Sequence, residues 1–202
     1  MTPVGILLGV TMIRLASWFA LLWMGVGCGV IGKDDPAQTR MSEQPKVAHA
    51  VLAPSKAATT QPTMNNVRGK VTFTQVADGV AVDAEITGLP PNSKHGFHIH
   101  EKGDLSSDDL MSTGPHWDPH ATHRHGGPST QPVHAGDMGN LITDGTGTAR
   151  MRITLKGISI DDPHTGVVGR SVIVHAQADD LSSQPAGNAG ARVAGGLIKP
   201  GN

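Results

Sequence analysis

At 202 residues and a formal net charge of -1, the chain has room for one ordinary domain plus extra sequence, and carries no charge excess that would draw it to nucleic acid or an anionic membrane surface. Tyrosine is absent and aromatic residues make up 3%, whereas there are 26 glycines and 14 prolines, a balance that argues against a helical bundle and for short strands joined by turns. Histidine is the outlier, with 11 copies of the commonest metal-ligating side chain.

In chain order, Arg14 precedes an apolar run from Leu15 to Ile31, which is the length of a signal-peptide core and short of the roughly 20 residues of a membrane span. Met12 offers a second start with a shorter lead. Cys28, the single cysteine, follows Gly25-Val26-Gly27, where small residues suit a signal peptidase and the thiol is a lipidation candidate. Gly25 departs from the leucine usual in such a motif, and an unmodified cysteine is the alternative. The expectation is a signal peptide over 1–28, of lipoprotein type if Cys28 carries lipid, then a flexible linker over 29–45 and a folded domain over 46–202. Such a leader implies export to the periplasm or cell envelope, with membrane attachment through a lipid on Cys28 where that cysteine is modified. One cysteine leaves no intrachain disulfide, which is uncommon for an exported domain.

From Val47 the chain alternates strand-like runs with turn clusters. Val47 to Ala53, Val67 to Gln75, Val80 to Leu89, His95 to Glu101, Gly147 to Leu155 and Val167 to His175 carry β-branched or alternating apolar residues. Ala77-Asp78-Gly79, Pro90-Pro91-Asn92 and Asp144-Gly145 supply turns, so an antiparallel sandwich or barrel is the economical architecture. No helix of useful length and no solenoid repeat is expected. Two long stretches, Gly103 to Gly139 and Ala178 to Ala191, have no period, and loops of that size inside a domain are usually functional or disordered.

His98 and His100 flank Ile99 in an expected strand. Period-two alternation sends both imidazoles to one face and Phe97 and Ile99 to the other. Alone, such a pair is weak evidence of a metal site. The long loop, however, adds His116, His125, His134 and Asp137, and the distant run Val172-Ile173-Val174 ends in His175.

The motifs Gly96-Phe97-His98-Ile99-His100-Glu101, Gly114-Pro115-His116, His125-Gly126-Gly127-Pro128, His134-Ala135-Gly136-Asp137-Met138-Gly139-Asn140, Gly169-Arg170-Ser171-Val172-Ile173-Val174-His175 and Gly187-Asn188-Ala189-Gly190-Ala191-Arg192 together resemble the copper/zinc superoxide dismutase family, over about Val47 to Ile198. The resemblance implies an all-β fold, an eight-stranded Greek-key β-barrel or sandwich of immunoglobulin-like kind with two long functional loops. It implies copper on His98, His100, His116 and His175, and zinc on His116, His125, His134 and Asp137, with His116 shared between them. An all-imidazole set with an open position suits copper, and three nitrogens with one carboxylate close a tetrahedron for zinc.

By the same resemblance Asp179 is the carboxylate that hydrogen-bonds ligands of both metals, and Arg192 attracts and orients superoxide, the small-molecule substrate. His116 gives up and regains a proton during catalysis. His120 and His123 read as solvated, His95 as a packed or hydrogen-bonded neighbour, and His49 and His164 as structural or exposed. Relatives join the first long loop to the last strand by a disulfide, but the corresponding positions here are Leu110 and Gly195. The loop Ala178–Ala191 is shorter than in many relatives and lacks their guiding charges. A non-catalytic copper- or zinc-buffering protein on the same barrel is the competing reading, and Arg192 counts against it because holding metal needs no anion guide.

Overall fold

The computed structural model describes residues 44–59 and 63–201, so the expected signal peptide, Cys28 and all of the linker except Gln44 and Pro45 lie outside the described residues. Among the described residues nine strands follow in chain order: β1 (Val47–Pro54), β2 (Arg68–Val76), β3 (Gly79–Thr87), β4 (Lys94–His100), β5 (Asp137–Ile142), β6 (Ala149–Lys156), β7 (Ser171–His175), β8 (Arg192–Leu197) and β9 (Lys199–Pro200). Helix is confined, among the described residues, to α1 (Lys56–Thr59), where the Ser55 hydroxyl accepts the Ala58 N–H at 3.0 Å, and a 3-10 turn at Met111–Thr113.

Alternation builds the sheet. In β3, Val80, Val82, Ala84 and Ile86 are buried while Asp83 and Glu85 are exposed, the pattern of a strand with one wet face. The strands join antiparallel along the path β5-β4-β7-β8-β1-β2-β3-β6, with β9 added to β1. The two ends of that path, β5 and β6, meet at a bridge between Thr143 and Ala149, so the sheet is almost closed into a barrel. Neighbours far apart in sequence, β3 with β6, β4 with β7 and β8 with β1, are the crossovers of a Greek key. Phe73, Ile86, Phe97, Ile99, Leu141, Val174 and their neighbours fill the interior. On the outer face Arg150 pairs with Glu85 and Arg152 with Asp83, exposed ion pairs that contribute little to stability.

Residue patterning marks six strands and the resemblance implies eight; β5, β8 and β9 are the strands the patterning does not mark. Asp-Met-Gly-Asn-Leu-Ile and Arg-Val-Ala-Gly-Gly-Leu lack β-branched alternation because their glycines serve close packing. A Cβ on Gly196 would stand 2.6 Å from the Val51 carbonyl oxygen. The expected strand from Val167 starts only at Ser171. Before it, the Val167 and Val168 N–H groups donate to the Ser159 and Ile160 carbonyls, which draws that segment to the preceding loop.

Two features position the long loop from Glu101 to Gly136. A small apolar cluster lies apart from the main core: Leu110 is buried, and a Cβ on Gly195 would stand 2.9 Å from Ile173 Cδ1, 3.0 Å from Leu110 Cδ1 and 3.4 Å from Leu105 Cδ2. Leu110 therefore covers Gly195 at the two positions where relatives carry the disulfide. The second feature is a backbone knot on β4. The Trp117 N–H donates to the Ile99 carbonyl, the Ile99 N–H to Gly136 and the Gly136 N–H to Trp117, each at 2.9 Å. Gly136 is required there because a Cβ would collide with the Ile99 carbonyl oxygen.

Candidate metal centre

The knot sets the site. It pins the residue after His116 to the strand residue between His98 and His100, so His116 pairs with His100 in an isolated bridge. Strand β4 lies between β5 and β7, and a register irregularity falls between Gly96 and His98, where a bulge re-aims a side chain. A second irregularity separates Val174 from His175, opposite Arg192 on β8.

Two sets of donors result. His98, His100, His116 and His175 form one, and His116, His125, His134 and Asp137 the other, with the ligand atoms of each set within 4.8 Å of one another. All seven side chains are buried. In four of the six rings one nitrogen is committed outward. The His98 Nε2–H donates to Asp179 Oδ2 at 2.9 Å, His100 Nδ1–H to the Gly114 carbonyl at 2.9 Å, His175 Nδ1–H to the Gly190 carbonyl at 3.1 Å and His125 Nε2–H to Asp179 Oδ1 at 2.9 Å. The other nitrogens converge: His100 Nε2 and His175 Nε2 are 3.4 Å apart.

A metal ion fits both sets. His98 Nδ1, His116 Nε2, His125 Nδ1 and His134 Nδ1 are buried with no hydrogen-bond partner. His125 Nδ1 and His134 Nδ1 come within 3.1 and 3.3 Å of Asp137 Oδ2 without hydrogen-bond alignment, as donors grouped around a common centre do. His116 offers Nδ1 beside Asp137 Oδ1, at 2.8 Å, and Nε2 on the other side, so one ring can serve both sets.

Asp179 ties the halves together, since one carboxylate receives an imidazole N–H from each set. It is held by reciprocal bonds with Asn140: the Asp179 N–H donates to Asn140 Oδ1 and Asn140 Nδ2 to the Asp179 carbonyl, both at 2.8 Å. Gln184 clamps His125 similarly, accepting its N–H at 2.7 Å and donating to its carbonyl at 2.9 Å. Neither amide was assigned a role from sequence. Asn140 lay within a quoted motif, whereas Gln184 sits in a loop with no pattern to single it out. His95, read as a packed neighbour, is buried with its Nδ1–H donating to the His175 carbonyl at 3.0 Å and its Nε2 beside the Ser93 hydroxyl at 2.8 Å.

Arg192 stands beside the all-histidine set. Its Nη1 donates to the Leu110 carbonyl at 2.9 Å and to the Thr113 hydroxyl at 2.7 Å. Burial, the neighbouring imidazoles and the guanidinium charge together hold His100 and His175 well below the ordinary histidine range. Burial also lowers His98 against the pull of Asp179, and takes His116 down to about 4 despite Asp137. In His125 burial is overcome by the carboxylates of Asp137 and Asp179, which push it up to about 9. Both carboxylates lie far below their usual range, because the surrounding imidazole hydrogen bonds outweigh their own burial.

An almost closed antiparallel barrel with two histidine-rich donor sets sharing one imidazole defines a β protein with two candidate metal sites. Residues 67–198 match the family model for copper/zinc superoxide dismutase (SODC), and the chain belongs to that family. It is similar to the crystal structure of the clock protein EA4, with 44% identity over 77% of this chain and 95% of that one, at a TM-score of 0.64. It is also similar to a double mutant of a SOD-like protein from Bacillus subtilis, with 27% identity over 75% of this chain and 96% of that one, at a TM-score of 0.63.

Proposed function

We propose that the chain is a superoxide dismutase, with copper held by His98, His100, His116 and His175 and zinc by His116, His125, His134 and Asp137. The observation that carries this reading is Arg192. Both of its anchoring bonds use Nη1, which leaves Nε and Nη2 to meet a small anion beside His100 and His175. A protein that only stores metal has no use for a fixed cation next to its ligands. Copper, when bound, supplies a one-electron couple that oxidises one superoxide to oxygen and reduces the next to hydrogen peroxide. The residues do the rest. Arg192 draws in and orients the anion, and His116 Nε2 is placed to hold a proton for the reduced oxygen, with the remaining proton coming from solvent. In the metal-free protein Asp137, at His116 Nδ1, fixes the ring so that Nε2 is left to the first set. Asp179 holds His98 and His125 in fixed tautomers. The leader over 1–28 fits a domain exported to meet external superoxide, and the mass of the mature N-terminus, with or without lipid on Cys28, tests that part.

The decisive experiment is pulse radiolysis of the protein loaded with copper and zinc. Catalysed loss of superoxide, together with a copper spectrum that changes in His116→Ala, is the expected result. Stoichiometric copper with no catalysed loss would leave the non-catalytic buffer and sink the enzyme.

A further inference from the structure

Among the histidines outside the two donor sets, His120, His123 and His164 share one setting. They are exposed and come from two separate segments, yet all three line clefts that border the second donor set. One cleft, of 420 Å³, has His123 and His164 at its walls together with Glu101, Asp118 and the donor residues His116 and His134. His120 lines the other, which also reaches His134.

His134 is the way in. The side chains of His125 and Asp137 are 0% exposed and that of His116 is 2%, whereas His134 is 10% exposed and forms a wall of both clefts. Its Nδ1 is one of the unpartnered nitrogens of the set. The cleft residues are held in place. The Asp118 carboxylate accepts the His123 N–H at 2.7 Å and the Thr122 hydroxyl at 3.1 Å, with His123 at φ 51. Asp162 Oδ1 accepts the His164 N–H at 2.9 Å and the Thr165 N–H at 2.8 Å, a turn that presents His164 outward. Two carboxylates against the single guanidinium of Arg170, which stacks on Trp117 and donates to the Glu101 carbonyl, leave the cleft attractive to a cation.

We propose that His123 and His164 form a capture site for an incoming zinc ion, which exchanges water for their imidazoles before passing His134 into the set formed by His116, His125, His134 and Asp137. This rests on the reading that this set holds zinc. The capture site is weaker than its destination, as delivery requires. Among the described residues only the two buried sets bring three or more candidate ligand atoms within 4.8 Å of one another, so His123 and His164 are near the path without belonging to a cage. Two imidazoles still suit zinc, a borderline ion that retains water in its remaining positions.

The test is the rate of zinc uptake by the metal-free full-length protein, followed by stopped-flow with a chromophoric zinc chelator as donor. His123→Asn with His164→Asn keeps polarity, and asparagine tolerates the left-handed backbone at position 123. The double variant should fill about tenfold more slowly, the lower end of what local enrichment adds to the association of a charged ligand, while its final zinc content and melting temperature match the parent's. His164→Ala alone, on an exposed turn, should show part of the same slowing, and His49→Asn none. Uptake by the double variant at the parent's rate overturns the capture site and leaves the zinc set standing. Failure of the parent to take up one zinc that is lost in His134→Ala overturns both.

Discussion

Leu110 and Gly195 make a prediction that can be worked from the structure. Leu110→Ala removes three carbons from a side chain that is 5% exposed, about 2.4 kcal/mol of transfer free energy at about 0.8 kcal/mol per methylene. Incomplete closure of the cavity brings the expected loss to about 3 kcal/mol. Gly195→Ala adds a Cβ at 2.9 Å from Ile173 Cδ1 and 3.0 Å from Leu110 Cδ1. Both atoms end flexible side chains, so the cost is about 1–2 kcal/mol. In the double variant the shortened side chain at 110 relieves one clash and the new methyl fills part of the space left. The combined loss should therefore fall below the sum of the single losses by about 1 kcal/mol. The assay is urea unfolding of the metal-free protein for all four members of the cycle. The Leu110 carbonyl also receives Arg192 Nη1, so metal-loaded Leu110→Ala should dismutate more slowly at unchanged metal content. A loss under about 1 kcal/mol for Leu110→Ala, or additivity within about 0.5 kcal/mol, would refute the idea that the Leu110–Gly195 contact braces the loop against the barrel.

Other substitutions and conditions separate the roles assigned above. Asp179→Asn leaves one acceptor oxygen where His98 and His125 use two, and should weaken metal binding about 10–100-fold, read by chelator competition; unchanged affinity for both ions would remove Asp179 from the site. Arg192→Lys keeps a charge but not the fork of donors, so the catalytic rate should drop while copper and zinc contents hold, and a parental rate would show that the anchored guanidinium is dispensable. In the metal-free protein His98, His100, His116 and His175 are held below their ordinary value of 6.5, so between about 4 and 6.5 the unfolded chain binds more protons and stability rises with pH. His125, raised to about 9, stabilises below 6.5 and loses that contribution as pH climbs to about 9. Melting temperatures from pH 4 to 9 should thus rise and then fall, and a monotonic climb would show that His125 is not held charged by Asp137 and Asp179.

The donors were legible because each is a distinctive residue type at a recognisable spacing: His98 and His100 two apart on a strand, then His116, His125, His134 and Asp137 in a histidine-rich loop. What holds them was less so. The acceptors for His100 and His175 are the carbonyls of Gly114 and Gly190, and a backbone oxygen leaves no mark on the identity of its residue. The same holds for the knot through Ile99, Trp117 and Gly136, where only the glycine hints at a close approach. Strands β5 and β8 escaped for a related reason, since Gly139, Gly195 and Gly196 satisfy packing and turn demands at the expense of the alternation by which strands are read. Leu110 was noted only as the position of a missing cysteine. Its contact with Gly195 needed coordinates, because nothing in the residues between them signals that they meet.

The two donor sets also explain how such a site can coexist with a stable barrel. Four unpartnered buried nitrogens, each costing about 1–3 kcal/mol when unsatisfied, are a large burden against the roughly 5–15 kcal/mol of net stability of an ordinary domain. The barrel carries that burden because three of the four donors of the first set stand on β4 and β7, each paired on both sides and buried along almost its whole length, which fix His98, His100 and His175 whether or not metal is bound. The second set has no such footing. His116, His125 and His134 all lie on the long loop, tied to the barrel by the three-bond knot and, through His125, by the Gln184 clamp and Asp179, with only Asp137 at the start of a strand. Metal binding at the loop set therefore contributes more to ordering the loop than binding at the strand set contributes to the barrel. Because Asp179 bonds to both sets and His116 belongs to both, order gained at the loop set is transmitted to the strand set.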